Sequence, residues 1–197
     1  MAPQPKKDAP PESIHQLKVT LNGLEPPIWR RIQMASDITM EDLHVVLQIA
    51  MGWEFEHLHQ FSAKRQYIGD ASMLDDVRDQ STTHLREVAP RKGSKFQYEY
   101  DMGDSWEHDI VGEAIQPPEP GAAYPVVLMG ERACPPEDCG GVWDYADLIE
   151  IMADPKHESY EEMLDWPGGP LDPEKFDLAK VNKKLQPRRG RSRRAAG

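Results

Sequence analysis

The stretch that most constrains the fold is residues 96–110, FQYEYDMGDSWEHDI. Phe96, Tyr98 and Tyr100 alternate with Gln97 and Glu99, and Trp106, His108 and Ile110 alternate with Glu107 and Asp109. A period of two marks a strand with one buried face, so the pattern predicts a β-hairpin. Its turn holds Asp101, Gly103, Asp104 and Ser105, residues that tolerate positive φ or bond nearby backbone through their side chains. A turn needs fewer chemical side chains than this, which makes it a candidate site as well.

Around the hairpin the chain reads as strands, a helix, more strands and then helices. Ile14, Leu17, Val19 and Leu21 predict a first strand that ends at Asn22-Gly23, and Ile28 to Ile32 a second. Thr39 followed by Asp42 resembles a capping box, and Leu43, Val46, Leu47, Ala50 and Met51 form one apolar stripe that Gly52 closes. Trp53, Phe55, His57, His59 and Phe61 share one parity, which predicts a strand from His57 onward with both histidines on the aromatic face. A short strand at Tyr67-Ile68 and a short helix over 83–88 follow. Residues 134–141 form a rigid turn into a helix striped by Tyr145, Leu148, Ile149 and Met152. Ser159 with Glu162 caps a further short helix, Trp166 to Pro170 make a loop, and Asp172-Pro173 is the expected start of the closing helix. The expected fold is therefore a single α+β domain over residues 13–186: a mostly antiparallel sheet with helices packed on one face or end. Residues 1–12, rich in proline, are expected to be a disordered lead, and 187–197 a disordered Arg-rich tail.

Charge separates function classes. The net charge of −11 hides the tail, where five arginines and no acid lie; the rest of the chain carries 18 basic against 34 acidic side chains, a balance of −16. Such a body repels a phosphate backbone, so nucleic acid is suggested weakly and through the tail alone. No apolar run spans a membrane and the first residues are no signal peptide, so the expectation is a cytoplasmic protein without a membrane partner. No phosphate-binding Gly-rich loop and no GxSxG elbow occurs.

Two sets of side chains carry chemistry. His57, His59, Asp104 and His108, with Cys134 and Cys139 in addition, offer nitrogen, oxygen and sulfur donors for a divalent metal such as zinc. A metal there would activate water, the basis of a metal-dependent hydrolase reading. Trp29, Arg30, Tyr98, Tyr100, Asp101, Asp104 and Trp106 are candidates for lining a ligand cleft. Against both stands plain packing. Histidines on an aromatic strand face are commonly hydrogen-bonded core residues, aspartates beside Gly103 satisfy turn backbone, and Glu137 and Asp138 suit the start of a helix. The cysteine spacing is looser than CxxC, and no second pair exists.

Pro27-Ile28-Trp29-Arg30-Arg31, His57-Leu58-His59-Gln60-Phe61, the hairpin from Tyr98 to His108, and Cys134-Pro135-Pro136-Glu137-Asp138-Cys139-Gly140-Gly141 follow one another in this order, with Asp172-Pro173 and Phe176 behind them. The set resembles the plasmid pRiA4b Orf-3-like family over roughly residues 14–186. Met102 alone stands where the family pattern leads one to expect an aromatic. The resemblance implies an accessory protein of plasmids and mobile elements, of a kind labelled "TnpR" and without an assigned activity. The residues argue against a recombinase: Ser105 sits among Asp101, Asp104, Glu107 and Asp109, and Tyr98 and Tyr100 have acids where an Arg/His cluster would be needed. Two readings remain: a module that binds a protein or small ligand through the acidic face near the hairpin, and the metal-dependent hydrolase, acting on nucleic acid.

Overall fold

The computed structural model describes residues 11–164 and 172–186. The N-terminal lead up to residue 10, the Trp166–Pro170 loop and the Arg-rich tail lie outside the described residues. Eight strands form one sheet: β1 (Ile14–Leu21), β2 (Ile28–Ala35), β3 (His59–Ala63), β4 (Gln66–Gly69), β5 (Arg78–Asp79), β6 (Lys95–Tyr100), β7 (Trp106–Gln116) and β8 (Val126–Glu131). Their order is β5-β4-β3-β6-β7-β1-β2-β8. Every pairing is antiparallel except β4 with β5.

Alternation decides which face is covered. Leu17, Val19 and Leu21 of β1, Ile28 and Ile32 of β2, and Tyr98, Tyr100, Trp106 and Ile110 of the hairpin are buried in one core cluster. Helix α1 (Met40–Met51) packs Leu43, Val46, Leu47 and Ala50 into the same cluster. Thr39 caps it by accepting from the Asp42 N–H, and Gly52 ends it at φ 113°. Helices α2 (Leu85–Val88), α3 (Gly141–Ala153), α4 (Tyr160–Leu164) and α5 (Leu178–Leu185) complete the set, α3 and α5 adding Tyr145, Leu148 and Leu185 to the core. The other sheet face carries Lys18, Arg31, Gln97, Glu99, Glu107 and Asp109, none of them buried. The architecture is the expected α+β fold. Among the described residues no helix is long and apolar enough to cross a membrane.

Two elements differ from expectation. The strand foreseen from His57 begins at His59, because Phe55 takes φ +66° and turns the chain out of its extended run. The closing helix begins at Leu178 under an Asp177 cap, not at Asp172. Tertiary bonds claim the intervening segment: Pro173 O accepts from Ala133 N–H at 2.9 Å, and the Phe176 ring lies 3.9 Å from the Arg30 guanidinium carbon. Asp172 makes a single turn there instead, its carboxylate accepting from Glu174 N–H. Helix α5 then guards the sheet edge, where Asn182 exchanges two 2.8 Å hydrogen bonds with the Val127 backbone as a neighbouring strand would.

Candidate functional site

Three segments singled out in the sequence meet at one end of the sheet: residues 54–58 leaving α1, the 101–105 turn between β6 and β7, and the 134–141 loop before α3. The hairpin turn is built by Asp101, whose Oδ1 accepts from the N–H of Gly103 at 2.9 Å and of Asp104 at 3.4 Å. Asp101 and Ser105 take the positive φ, 55° each, while Gly103 keeps a negative one. A Cβ on Gly103 would approach that same carboxylate oxygen to 3.1 Å. Asp104 then grips the loop, its Oδ2 accepting from Gly140 N–H at 3.0 Å. Gly141 sits so close that a Cβ would lie 2.8 Å from the Asp104 carbonyl, and its φ of +80° suits glycine alone.

Glu137 ties the third segment in. Its Oε1 accepts from Glu54 N–H at 2.8 Å and from the Tyr100 hydroxyl at 3.1 Å, while Tyr100 Oη accepts from Glu56 N–H at 3.2 Å. Burial and the Glu137 carboxylate both push the Tyr100 phenol upward, so it stays a donor. In the middle stands His57. Its Nε2 lies 3.2 Å from Asp138 Oδ1, 3.7 Å from Asp101 Oδ2 and 3.8 Å from Glu137 Oε2. The atom is shielded from solvent yet makes no hydrogen bond of good alignment. Glu56 reaches the same spot from the exposed side: single donor atoms of Glu56, His57 and Asp138 lie within 4.8 Å of one another. Phe55, Leu58 and Met102, the chain neighbours of Glu56, His57 and Asp101, leave 47%, 41% and 40% of their surfaces exposed.

The structure does not gather the metal set expected from the sequence. His57 alone of its members enters a donor cluster among the described residues. His59 turns away: its Nε2 bonds Gln80 Oε1 at 2.7 Å, and its ring stacks on His44 at 3.4 Å, 2° from parallel. His108 is fully buried between Trp53 and Tyr98, with Nδ1 3.2 Å from the Tyr98 carbonyl. Burial lowers it to about 4. Asp104 is spent on the loop, as above. Cys134 and Cys139 are free thiols that burial pushes upward, Cys139 to about 12, which disfavours the thiolate a metal needs.

The cleft set divides too. Asp101 lines the mouth, and Tyr100, itself buried, supports it from behind through its hydroxyl bond to Glu137. Arg30, Tyr98 and Trp106 are core residues at or below 1% exposure. Trp29 lies on the other sheet face, between Lys18 and Arg31 and donating to Glu131. Tyr98 instead anchors a buried polar network, its hydroxyl bonded to His44 Nδ1 at 2.8 Å and Gln48 Nε2 at 3.0 Å. Sequence reasoning missed Glu56 altogether and placed Glu137 and Asp138 only at a helix start. The signal for Glu56 was its adjacency to His57 outside the alternating set.

Fold and site together define a single-domain α+β protein with an open, mostly antiparallel sheet and a polar mouth at one end. The chain belongs to the plasmid pRiA4b ORF-3-like protein family, whose sequence profile matches residues 13–180. It is similar to the uncharacterized protein y4hQ of Sinorhizobium fredii (strain NBRC 101917 / NGR234), 40% identical over 159 residues that cover 79% of this chain and 81% of that one. It also resembles the crystal structure of the protein of unknown function MM3350 from Methanosarcina mazei Go1. The TM-score there is 0.80 at 35% identity, over 89% of this chain and 99% of that one.

Proposed function

We propose that the chain is a binding module whose acidic mouth takes a basic, partly apolar segment of a partner protein. One observation carries this: Glu56, Asp101, Glu137 and Asp138 crowd a single imidazole, and their chain neighbours Phe55, Leu58 and Met102 are exposed. A lysine or arginine entering the mouth would compensate these carboxylates, and flanking apolar side chains would cover Phe55, Leu58 and Met102. The test is a titration of the whole chain with a short labelled peptide of alternating arginine and leucine, with glutamate replacing arginine in the control. Binding of the basic peptide alone is expected, weakened about tenfold in the doubly substituted Glu56→Gln, Asp138→Asn chain and by added salt. Equal affinity of substituted and unsubstituted chains rejects the reading. Both residues are solvent-facing, so the substitutions leave the core alone.

A divalent cation is the second reading, favoured by the donor distances of Glu56, His57 and Asp138. These ligands replace the set foreseen in the sequence. A nitrogen with carboxylate oxygens is a donor set that zinc or manganese accepts. Plasma mass spectrometry on protein purified without a metal-affinity step, then dialysed against micromolar zinc, is expected to find about one ion per chain, lost in His57→Ala. Folded protein that retains no ion, or retains it equally in His57→Ala, counts against it.

A further inference from the structure

The open sheet face carries a cleft remote in character from the acidic mouth. The β3–β4 connection is two residues long, with Ala63 opposite Gln66, and both central residues take positive φ: Lys64 50° and Arg65 66°. A two-residue hairpin of this hand is met most easily by Asn-Gly. Lysine and arginine cost more there, a cost without return in the fold, since neither enters an ion pair among the described residues.

The turn overhangs a cleft of about 680 Å³ whose lining includes Lys64, Arg65, Tyr67, Ser62, Gln97 and Lys95. That volume falls within the range of small-molecule sites. Lys95 is likewise without an ion-pair partner among the described residues, whereas Arg31 and Arg78 on the same sheet are each matched to a glutamate. Asp109 is the one carboxylate in the lining and already accepts from Gln97 Nε2 at 3.2 Å. Three cations thus face one engaged acid in a chain whose net charge is −11. The floor is a row across four strands: Tyr67 opposite Ser62, Ser62 opposite Gln97, Gln97 opposite Asp109. Tyr67 is 54% exposed and offers a free aromatic face, and the amide and carboxylate beyond it offer donor and acceptor together.

We infer that this cleft binds a small anionic ligand bearing a flat, hydrogen-bonding ring, with a nucleoside monophosphate as the archetype. The anionic group sits among Lys64, Arg65 and Lys95, the ring lies against Tyr67, and its polar edge meets Gln97 and Asp109. Phosphate and lysine or arginine make the strong, charge-assisted bonds such recognition requires. The neighbouring pair Glu99 and Glu107, beside Asp109 in the floor, argues against a longer polyanion on this face.

The test titrates the full chain by calorimetry with adenosine and guanosine 5′-monophosphate, and with adenosine, ribose 5-phosphate, inorganic phosphate and a short single-stranded oligonucleotide as separate arms. The decisive variant is Lys64→Asn with Arg65→Gly, which installs the preferred turn pair and is expected to fold with an unchanged or raised Tm. A monophosphate is expected to bind, the nucleoside and the bare phosphates about tenfold more weakly or worse, and the turn variant to lose about tenfold or more. The inference is overturned if the variant binds as tightly as the unsubstituted chain, or if no probe binds at millimolar concentration. It is equally overturned if inorganic phosphate matches the monophosphates, or if the oligonucleotide outbinds them in low salt.

Discussion

Replacing Arg30 by methionine is expected to lower stability by about 3–5 kcal/mol, the largest single-residue effect foreseen in this fold. Arg30 is 1% exposed and has no carboxylate partner among the described residues. Its guanidinium instead donates to four carbonyls, those of Ala50 at 2.9 Å, Trp29 at 2.8 Å, Glu131 at 2.7 Å and Arg132 at 2.8 Å. It thereby ties the end of α1 to β2 and to the chain leaving β8, and its flat face stacks on Phe176. Burial lowers its pKa to about 10, so it remains charged at neutral pH. Methionine fills the space and satisfies none of the carbonyls. Each carbonyl left bare costs on the order of 1–3 kcal/mol, partly recovered by relaxation. Lysine is expected to restore little, since an ammonium cannot present the forked geometry that four diverging carbonyls use. The urea midpoint at constant m is the measurement, and a loss below about 1 kcal/mol would show the network to be dispensable.

Acid is expected to destabilise the chain between pH 7 and 5, before most carboxylates titrate. Burial holds His44 down to about 3 and His108 to about 4, against an ordinary value of 6.5; the neighbouring His59 further lowers His44. Burial also lowers His59 and His15. The folded chain therefore keeps these rings neutral while the unfolded chain takes up protons near pH 6.5. Stability is fully present above that value and falls as the pH drops from 6.5 towards 4 and then 3. His44 and His108 each contribute a slope of about 1.4 kcal/mol per pH unit between 6.5 and their folded values. His44 is the informative position, because its Nδ1 shares a hydrogen bond with the Tyr98 hydroxyl that a glutamine amide can replace. His44→Gln should flatten the profile by about one proton's worth. A urea midpoint that does not change from pH 7.5 to pH 5 would contradict the assignment.

Much of the core was legible, for a physical reason. Alternation places Arg30 on the parity of Ile28, Ile32 and Met34, and His108 on that of Trp106 and Ile110, so the pattern that predicts the strands also predicts that these polar residues are buried. Reading them as cleft or metal residues set chemical identity above position. His57 erred the other way. Its parity with Trp53 and Phe61 was real in the sequence, but Phe55 at φ +66° breaks the run, which no residue pattern announces because the residue there is not glycine. The acidic mouth was half legible. Asp101 stood out in its turn, and Glu137 and Asp138 in theirs, but only the folding of the 134–141 loop onto the hairpin brings them to one imidazole. Pairing between segments so far apart in sequence is set by tertiary packing, not by local propensity.

The most direct test of the acidic mouth is amide chemical-shift mapping of the uniformly labelled chain as the arginine–leucine peptide is added. The account predicts that the shifts concentrate in residues 54–58, 101–105 and 137–141, three stretches united only by the fold, and shrink as salt is raised. Shifts confined to the open sheet face around Tyr67 and Gln97, or scattered over the surface without saturation, would contradict it.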